Sequence, residues 1–174
     1  MNQKQASRRV QKIREAYAKM REQFWQEVTE DMLWHQKGQK KVGFSQIPRC
    51  ITLIGIIMDE LSTSGKVSST YLALWCHTFE EGFVSISNPQ AMAFESGFAK
   101  GRAVHTWKSR MDELVRLGFI KVASGSGPYD NVLILNPYKV IKRHREEGNI
   151  IGEAEAAYNA LLKRASEIGA AGDL

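Results

Sequence analysis

Between Gly97 and Gly118 the chain carries cations and hydrogen-bond donors, with no acidic residue before Asp112. These residues are Lys100, Arg102, His105, Thr106, Lys108, Ser109 and Arg110. Lysine and arginine bind the phosphates of nucleic acids, and short polar side chains bind base edges. Spread over about three helical turns, the set would form one polar face. Such a face is typical of an element that lies in the major groove of DNA.

The apolar residues of the same stretch predict the helix that presents this face. They recur at spacings of three and four and are Val104, Trp107, Met111, Leu114 and Leu117. That spacing places them on one side of a helix, facing a core. We expect the helix to begin just after Gly97 and to end at Gly118.

A second, shorter helix is expected directly before it. Asn88 accepts the free amides of a helix start, and Pro89 suits the first helical position. The segment they open is PQAMAFES, and it ends at Gly97. Two helices joined by a turn at residues 97–99 form a helix-turn-helix.

The segments on either side of this unit predict a small sheet. Two β-rich runs, FIKVA and NVLIL, flank the turn-forming segment SGSGPYD, so we expect a hairpin. Residues 83–86, before the first helix, are a candidate third strand.

This order of strand, two helices and hairpin resembles the winged helix-turn-helix domain over roughly residues 68–140. The segment LVRLGFIKV is similar to the corresponding part of bacterial transcription regulators and of plasmid or phage replication initiators. The resemblance implies that the second helix reads the major groove of double-stranded DNA through the polar residues above. It also implies that the wing, with Lys121 at its base, touches the DNA. The wing tip departs from the pattern, because residues 124–130 contain no lysine or arginine.

The whole chain is therefore expected to be mainly α, with a small antiparallel β-sheet and with extra helices at both ends of a winged helix-turn-helix. We assign residues 1–36 to a basic amphipathic helix, 37–47 to a linker, 48–148 to the winged domain and 149–174 to a C-terminal helix and tail. Within the domain, helices are predicted at 48–61, 69–80 and 137–148. Lys142 and Arg143 on the last of these are expected to reach the DNA backbone, together with His144 and Arg145.

The N-terminal helix, predicted from Ser7 to about His35, carries a seam close to a heptad repeat. Its residues are Val10, Ile13, Tyr17, Met20 and Phe24, continued by Val28 and Met32 or Leu33. The seam is consistent with packing on the chain's own domain and with pairing to the same helix of a second chain. A homodimer would suit a palindromic DNA site. Alternatively, the basic side of the helix could follow phosphates.

Charge is distributed unevenly along the 174 residues, whose net charge is +5. Up to Lys41 there are ten Lys or Arg against five Asp or Glu, and the remainder holds fourteen of each sign. A basic arm on a neutral body is the charge pattern of a protein that binds a polyanion.

Nothing in the sequence indicates an enzyme, a metal site, a cofactor or a small-molecule ligand. The four histidines are dispersed, and the GSG at residues 125–127 lacks the Lys-Ser or Lys-Thr of a phosphate-binding loop. Cys50 and Cys76 are expected to be buried free thiols in a reducing compartment. The apolar run at residues 51–58 is too short to span a membrane, and the N-terminus has no signal-peptide pattern. We therefore expect a bacterial cytoplasmic protein associated with the nucleoid or with a plasmid.

The function that these observations favour is transcription regulation through binding of double-stranded DNA. A replication or maintenance factor of a plasmid, phage or integrative element is an alternative, and so is a winged-helix module that binds protein. The three basic clusters are the N-terminal arm, residues 100–110 and residues 142–145. A continuous basic face joining them would favour DNA, whereas an apolar patch over the second helix would favour a protein partner.

Overall fold

The computed structural model describes residues 3–27, 45–78 and 82–173. The chain divides into two compact units, Met1–Val42 and Gly43–Leu174. The elements are α1 (Gln3–Phe24), α2 (Ile51–Leu61), α3 (Ser68–Cys76), β1 (Phe83–Ser85), α4 (Pro89–Glu95), α5 (Ala103–Leu117), β2 (Ile120–Ala123), β3 (Asn131–Ile134), α6 (Pro137–Glu146), α7 (Glu153–Ile168) and a 3-10 turn (Ala171–Asp173). The predicted class, mainly helical with a small antiparallel sheet, is confirmed for the part of the chain described.

The first unit contains α1, and this helix differs from its prediction at both ends. It begins at Gln3 and ends at Phe24, so the expectation of one helix to about His35 is wrong. Trp25 follows outside the helix, with its amide donating to the Arg21 carbonyl at 2.9 Å. The predicted continuation of the seam at Val28, Met32 and Leu33 and most of the predicted linker lie outside the described residues.

The second unit is built around α2, which is among the most apolar segments of the chain. Ile54, Ile57 and Met58 are fully buried, and the most extensive helix packing of the unit is between α2 and α7. The helix begins at Ile51, three residues after the predicted start at Pro48. Cys50, just before it, is buried as expected.

The next helix, α3, is shorter than predicted. It ends at Cys76, where residues up to 80 were expected to be helical, and residues 79–81 lie outside the description. The Cys76 side chain is exposed, which corrects the expectation that both cysteines are buried. The reason is its place in the last turn, on the side of α3 that also exposes Leu72.

The three strands form one antiparallel sheet in the order β1-β3-β2. Val132 in the central strand pairs with Val84 on one side and Val122 on the other, and these valines point to the core. Side chains alternate across a sheet, so the neighbouring pair Phe83 and Leu133 lies on the outer face and is partly exposed.

The core of the second unit joins the helices to this sheet. Tyr71 packs edge-on against Phe119, with ring centroids 5.9 Å apart, and Trp107, Leu114 and Ile141 are fully buried. The predicted C-terminal helix is present as α7, and residues 171–173 after it form a 3-10 turn. No helix in the described residues is long and apolar enough to cross a membrane.

Candidate nucleic-acid interface

The helix pair starts as the sequence predicts. The Asn88 side-chain oxygen accepts hydrogen bonds from the amides of Gln90 and Ala91, each at 3.1 Å, and Pro89 occupies the first turn of α4. These bonds satisfy amides that have no partner within the helix. The start of α4 is therefore fixed by local residues alone.

The turn between α4 and α5 is longer than expected. Gly97 adopts φ +89°, and the Phe98 amide donates to the Ala93 carbonyl at 2.9 Å, which closes the end of α4. The second helix begins at Ala103, so Lys100 and Arg102 lie in the turn and not on the helix as predicted. A second glycine, Gly101, explains the delay, because glycine disfavours helix by about 1 kcal/mol relative to alanine.

The apolar stripe of α5 packs as predicted and sets the rotation of the helix. Trp107, Met111, Leu114 and Leu117 are buried, and Val104 is partly buried. Gly118 ends the helix in the left-handed conformation, with φ +79°. The exposed residues of the helix lie on the side opposite the stripe.

Three cations and one histidine of the predicted site point away from the core. Lys100, Arg102, His105 and Lys108 are exposed, and none of them forms a hydrogen bond or an ion pair with any residue that the structure describes. Thr106 and Ser109 are half-buried beside them. The exposed cluster therefore covers the turn and the first half of α5, and we call it the turn–helix cation cluster.

The start of α5 adds a further electropositive feature to this cluster. Arg102 occupies the position before the first helical residue, and its side chain makes no capping hydrogen bond. The amides of the first turn thus have no side-chain acceptor from that position. Helix N-termini whose first amides have no side-chain acceptor bind phosphate oxygens readily.

Arg110, which the sequence analysis assigned to the DNA-binding face, forms its hydrogen bonds within the protein. Its guanidinium donates to the Ser64 carbonyl oxygen and lies 3.3 Å from the Ser64 hydroxyl. It also packs against Gly65 so closely that a side chain on that glycine would collide with it. Arg110 therefore joins α5 to the loop between α2 and α3, and its guanidinium is already bonded within the protein.

The third basic cluster, residues 142–145, is largely structural. Arg143 donates to the Leu117 carbonyl at 2.9 Å, and the His144 ring nitrogen Nε2 lies 2.8 Å from the same oxygen. Arg145 bonds Glu155 at 3.0 Å. These side chains cap the end of α5 and hold the last two helices, so Arg143, His144 and Arg145, which were expected to reach DNA, already have partners within the protein.

Two predicted cations outside α5 remain exposed. Lys121 lies on β2, and Lys142 lies on α6, and neither forms a hydrogen bond or ion pair with the described part of the chain. They belong to different elements from the turn–helix cation cluster. Within residues 142–145 only Lys142 has no partner in the described part of the chain, whereas Lys100, Arg102 and Lys108 of the turn–helix cation cluster all lack one.

The hairpin is tied to α5 by Tyr129, a residue that the sequence reasoning missed. Its ring packs edge-on against Trp107, with centroids 5.5 Å apart, and its hydroxyl donates to the Asp112 carboxylate. Burial and the neighbouring carboxylate raise the pKa of Tyr129 to about 12. The lone aromatic in the Gly- and Ser-rich turn was the only signal in the sequence. The hairpin is thereby held against α5 at Trp107 and Asp112.

Glu113 is a second residue that sequence reasoning missed. Its carboxylate accepts from Arg116 at 2.8 and 2.7 Å and from the Thr63 amide at 2.6 Å. The hydrogen bonds from Arg116 lower the pKa of Glu113 to about 2, against the opposing effect of burial. This buried carboxylate ties α5 to the end of α2. Its spacing of three from Arg116 was visible in the sequence.

An apolar cleft of about 430 Å³ lies between α2 and α3, and its acidic group, Asp59, accepts hydrogen bonds from the Val67 and Ser68 amides at 2.7 and 2.8 Å. No group of three His, Cys, Asp or Glu residues that could hold a metal ion occurs within residues 3–27, 45–78 and 82–173.

Comparison of the chain with protein-family models, with curated proteins and with solved structures finds no match.

Proposed function

We propose that this protein is a winged helix-turn-helix protein that binds double-stranded DNA with the turn–helix cation cluster. The order α3, β1, α4, α5, β2, β3 and the sheet order β1-β3-β2 support this assignment of the fold. In such a unit α5 is the helix that enters the major groove. The two strands after it form the wing.

One observation carries the proposal. Lys100, Arg102, His105 and Lys108 are exposed and uncommitted, while Arg110, Arg143 and Arg145 are bound within the protein. Free cations next to an uncapped helix start are suited to phosphate, and His105 on the first exposed turn is suited to a base edge. Lys121 and Lys142 would supplement the binding from the wing and from α6.

We further propose that the protein is a transcription regulator that works as a homodimer in the bacterial cytoplasm and lacks enzymatic activity. Two-fold symmetry would match a palindromic site. A replication or maintenance factor of a mobile element would use the same surface. Sedimentation of the protein bound to a selected DNA site would separate one copy per site from two.

A protein-binding role is the second candidate, and Phe94 favours it. This side chain is 70% exposed at the end of α4, next to the turn that carries Lys100. An exposed aromatic ring is more common in protein interfaces than in phosphate contacts. The lack of lysine and arginine at the hairpin tip also favours a protein-binding role.

Fluorescence anisotropy on mixed-sequence duplex DNA across a salt series tests the first proposal. The Arg102→Ala, Lys108→Ala double variant should weaken binding and reduce the slope of log affinity against log salt by about 2, because each lost phosphate contact removes about 0.9. The matched control is Lys66→Ala, Lys163→Ala, which removes two exposed cations from other elements.

The two outcomes separate the candidates. Equal slopes for the two double variants would reject the turn–helix cation cluster as the DNA surface. Absence of wild-type binding at low salt would favour the protein-binding role, and Phe94→Ser would then be the variant used against a partner.

A further inference from the structure

His144 lies near the end of α6 and is buried, although histidine is the side chain that ordinarily gains a proton close to neutral pH. Its ring stacks on Phe119, with centroids 6.3 Å apart. Nε2 lies 2.8 Å from the Leu117 carbonyl oxygen, and Nδ1 lies 3.2 Å from the side-chain nitrogen of Asn149. Both ring nitrogens therefore have a hydrogen-bond partner.

These two partners fix the protonation state of the ring. A carbonyl oxygen only accepts hydrogen bonds, so Nε2 of His144 must carry a hydrogen. An amide nitrogen only donates, so Nδ1 must present its lone pair to Asn149. The ring is therefore neutral, with its hydrogen on Nε2.

The orientation of the Asn149 amide is in turn fixed by Glu147. The Asn149 side-chain nitrogen also donates to the Glu147 carboxylate at 3.0 Å. If the amide turned around, its oxygen would face the carboxylate, and neither group could donate. Asn149 thus cannot accept a hydrogen bond from a protonated ring without losing its bond to Glu147.

The charged groups around the ring act in opposite directions. The Glu147 carboxylate lies 3.8 Å from Nδ1 and favours the protonated ring. The Arg143 guanidinium donates to the same Leu117 carbonyl as His144, at 2.9 Å, and disfavours it. On the side of α7, Arg145 and Glu155 are bonded to each other at 3.0 Å. Glu147 is therefore the acceptor within reach when Nδ1 gains a proton.

We propose that His144 is a pH-sensitive switch at the joint between α6 and α7. When Nδ1 takes a proton from solvent, it stops accepting from Asn149 and donates to the Glu147 carboxylate instead. The Asn149 side chain is then released from the ring. Nε2 keeps its hydrogen throughout, so the cap on the Leu117 carbonyl persists. The switch is independent of DNA binding, because it uses no residue of the turn–helix cation cluster.

NMR spectra that correlate the ring hydrogens and nitrogens of the ¹⁵N-labelled full-length chain measure both the tautomer and the titration of His144. We expect hydrogen on Nε2 at about pH 8 and protonation of Nδ1 on titration to about pH 5. The side-chain amide signals of Asn149 should follow the same titration curve. Those of Asn159, an exposed residue of α7, serve as the internal control.

Variants at three exposed positions test the exchange of partners. Asn149→Ala removes the donor that opposes the proton and should raise the titration midpoint of His144 by about half a pH unit. Asn149→Asp places an acceptor there and should raise the midpoint further. Glu147→Gln removes the carboxylate that receives the proton and should lower the midpoint by about 0.3 pH unit. The matched control is Glu146→Gln, which removes the same charge from the neighbouring position.

Several results would overturn the proposal. One is a neutral ring that carries its hydrogen on Nδ1, and another is a ring that takes up no proton down to about pH 5. A midpoint that Asn149→Ala leaves unchanged or lowers would reject the opposition between proton and amide. A lowering by Glu147→Gln no larger than that by Glu146→Gln, or Asn149 signals that do not follow the His144 titration, would reject the exchange of partners.

Discussion

Replacing Glu113 with glutamine should remove a buried acceptor that α5 uses to hold the end of α2. The carboxylate is 6% exposed and receives hydrogen bonds from both Arg116 and the Thr63 amide. Glutamine keeps one acceptor oxygen but turns an N–H group toward the donors. Hydrogen bonds to charged groups contribute about 1.5 to 3 kcal/mol, and Arg116 is half-exposed, so we expect a loss of about 2 kcal/mol at pH 7.

The pH dependence of this loss follows from the lowered pKa of Glu113. The folded pKa of about 2 lies below the usual value of 4.5, so the carboxylate stabilises the native state above pH 4.5. Its contribution declines as the pH falls from 4.5 toward 2, because the unfolded chain then binds a proton that the native state does not. The difference in unfolding free energy between wild type and variant should shrink to under about 1 kcal/mol at pH 3.

Urea unfolding followed by tryptophan fluorescence at pH 7 and pH 3 measures both quantities. The control is Glu60→Gln, which makes the same chemical change at an exposed position on α2 that has no hydrogen bond in the described structure. A loss for Glu113→Gln that equals that of the control, or that is the same at both pH values, would refute the account of the buried carboxylate.

Three further variants test other contacts. Tyr129→Phe should lower stability by about 1 kcal/mol at pH 7 through loss of the bond to Asp112. Because the folded pKa of Tyr129, about 12, exceeds the usual value of 10, this contribution should disappear as the pH rises from 10 through 12, and absorbance at 295 nm checks the titration. Arg110→Ala should cost about 1 to 2 kcal/mol in urea unfolding and leave the salt slope of DNA binding unchanged, whereas a lowered slope would return Arg110 to the interface. Gly118→Ala should cost more than about 1 kcal/mol, because alanine is strained at φ +79° and would meet the Arg143 guanidinium; an unchanged thermal midpoint would contradict this.

The periodic elements of the second unit could be predicted from the sequence because their signals are local. The stripe from Trp107 to Leu117 fixed the buried side of α5, and Asn88 with Pro89 fixed the start of α4. Gly118 predicted where α5 ends. These features depend on spacing and on backbone preference, which a single sequence displays.

Helix ends without such signals were less predictable. The first helix was extended to His35 because neither proline nor glycine interrupts it, yet α1 ends at Phe24. At the start of α5, Gly101 was available as a signal but was outweighed by the periodicity that follows it. The absence of proline and glycine is therefore weak evidence that a helix continues. The presence of a capping residue is stronger evidence of where a helix ends.

The site was predicted only in part because a sequence does not show which charges are paired. Arg110 and Lys108 look equivalent along the chain, but α5 turns one toward Ser64 and the other to solvent. Arg143 is drawn to the Leu117 carbonyl for a similar reason, since the end of a helix leaves carbonyl groups that a cation can satisfy. Partners separated by 46 and 26 residues leave no local pattern.

Because most arginines near α5 are bonded within the protein, the proposed interface would recognise DNA mainly through other side chains. Arginine presents a planar fork that suits paired acceptors, and in the second unit Arg110, Arg116 and Arg143 use it on carbonyl or carboxylate oxygens of the protein. The turn–helix cation cluster retains a single arginine, Arg102, beside two lysines and a histidine. Lysine binds phosphate as a point charge and distinguishes bases poorly. We therefore expect sequence preference to depend mainly on Arg102 and His105, with the lysines supplying affinity that falls steeply as salt rises.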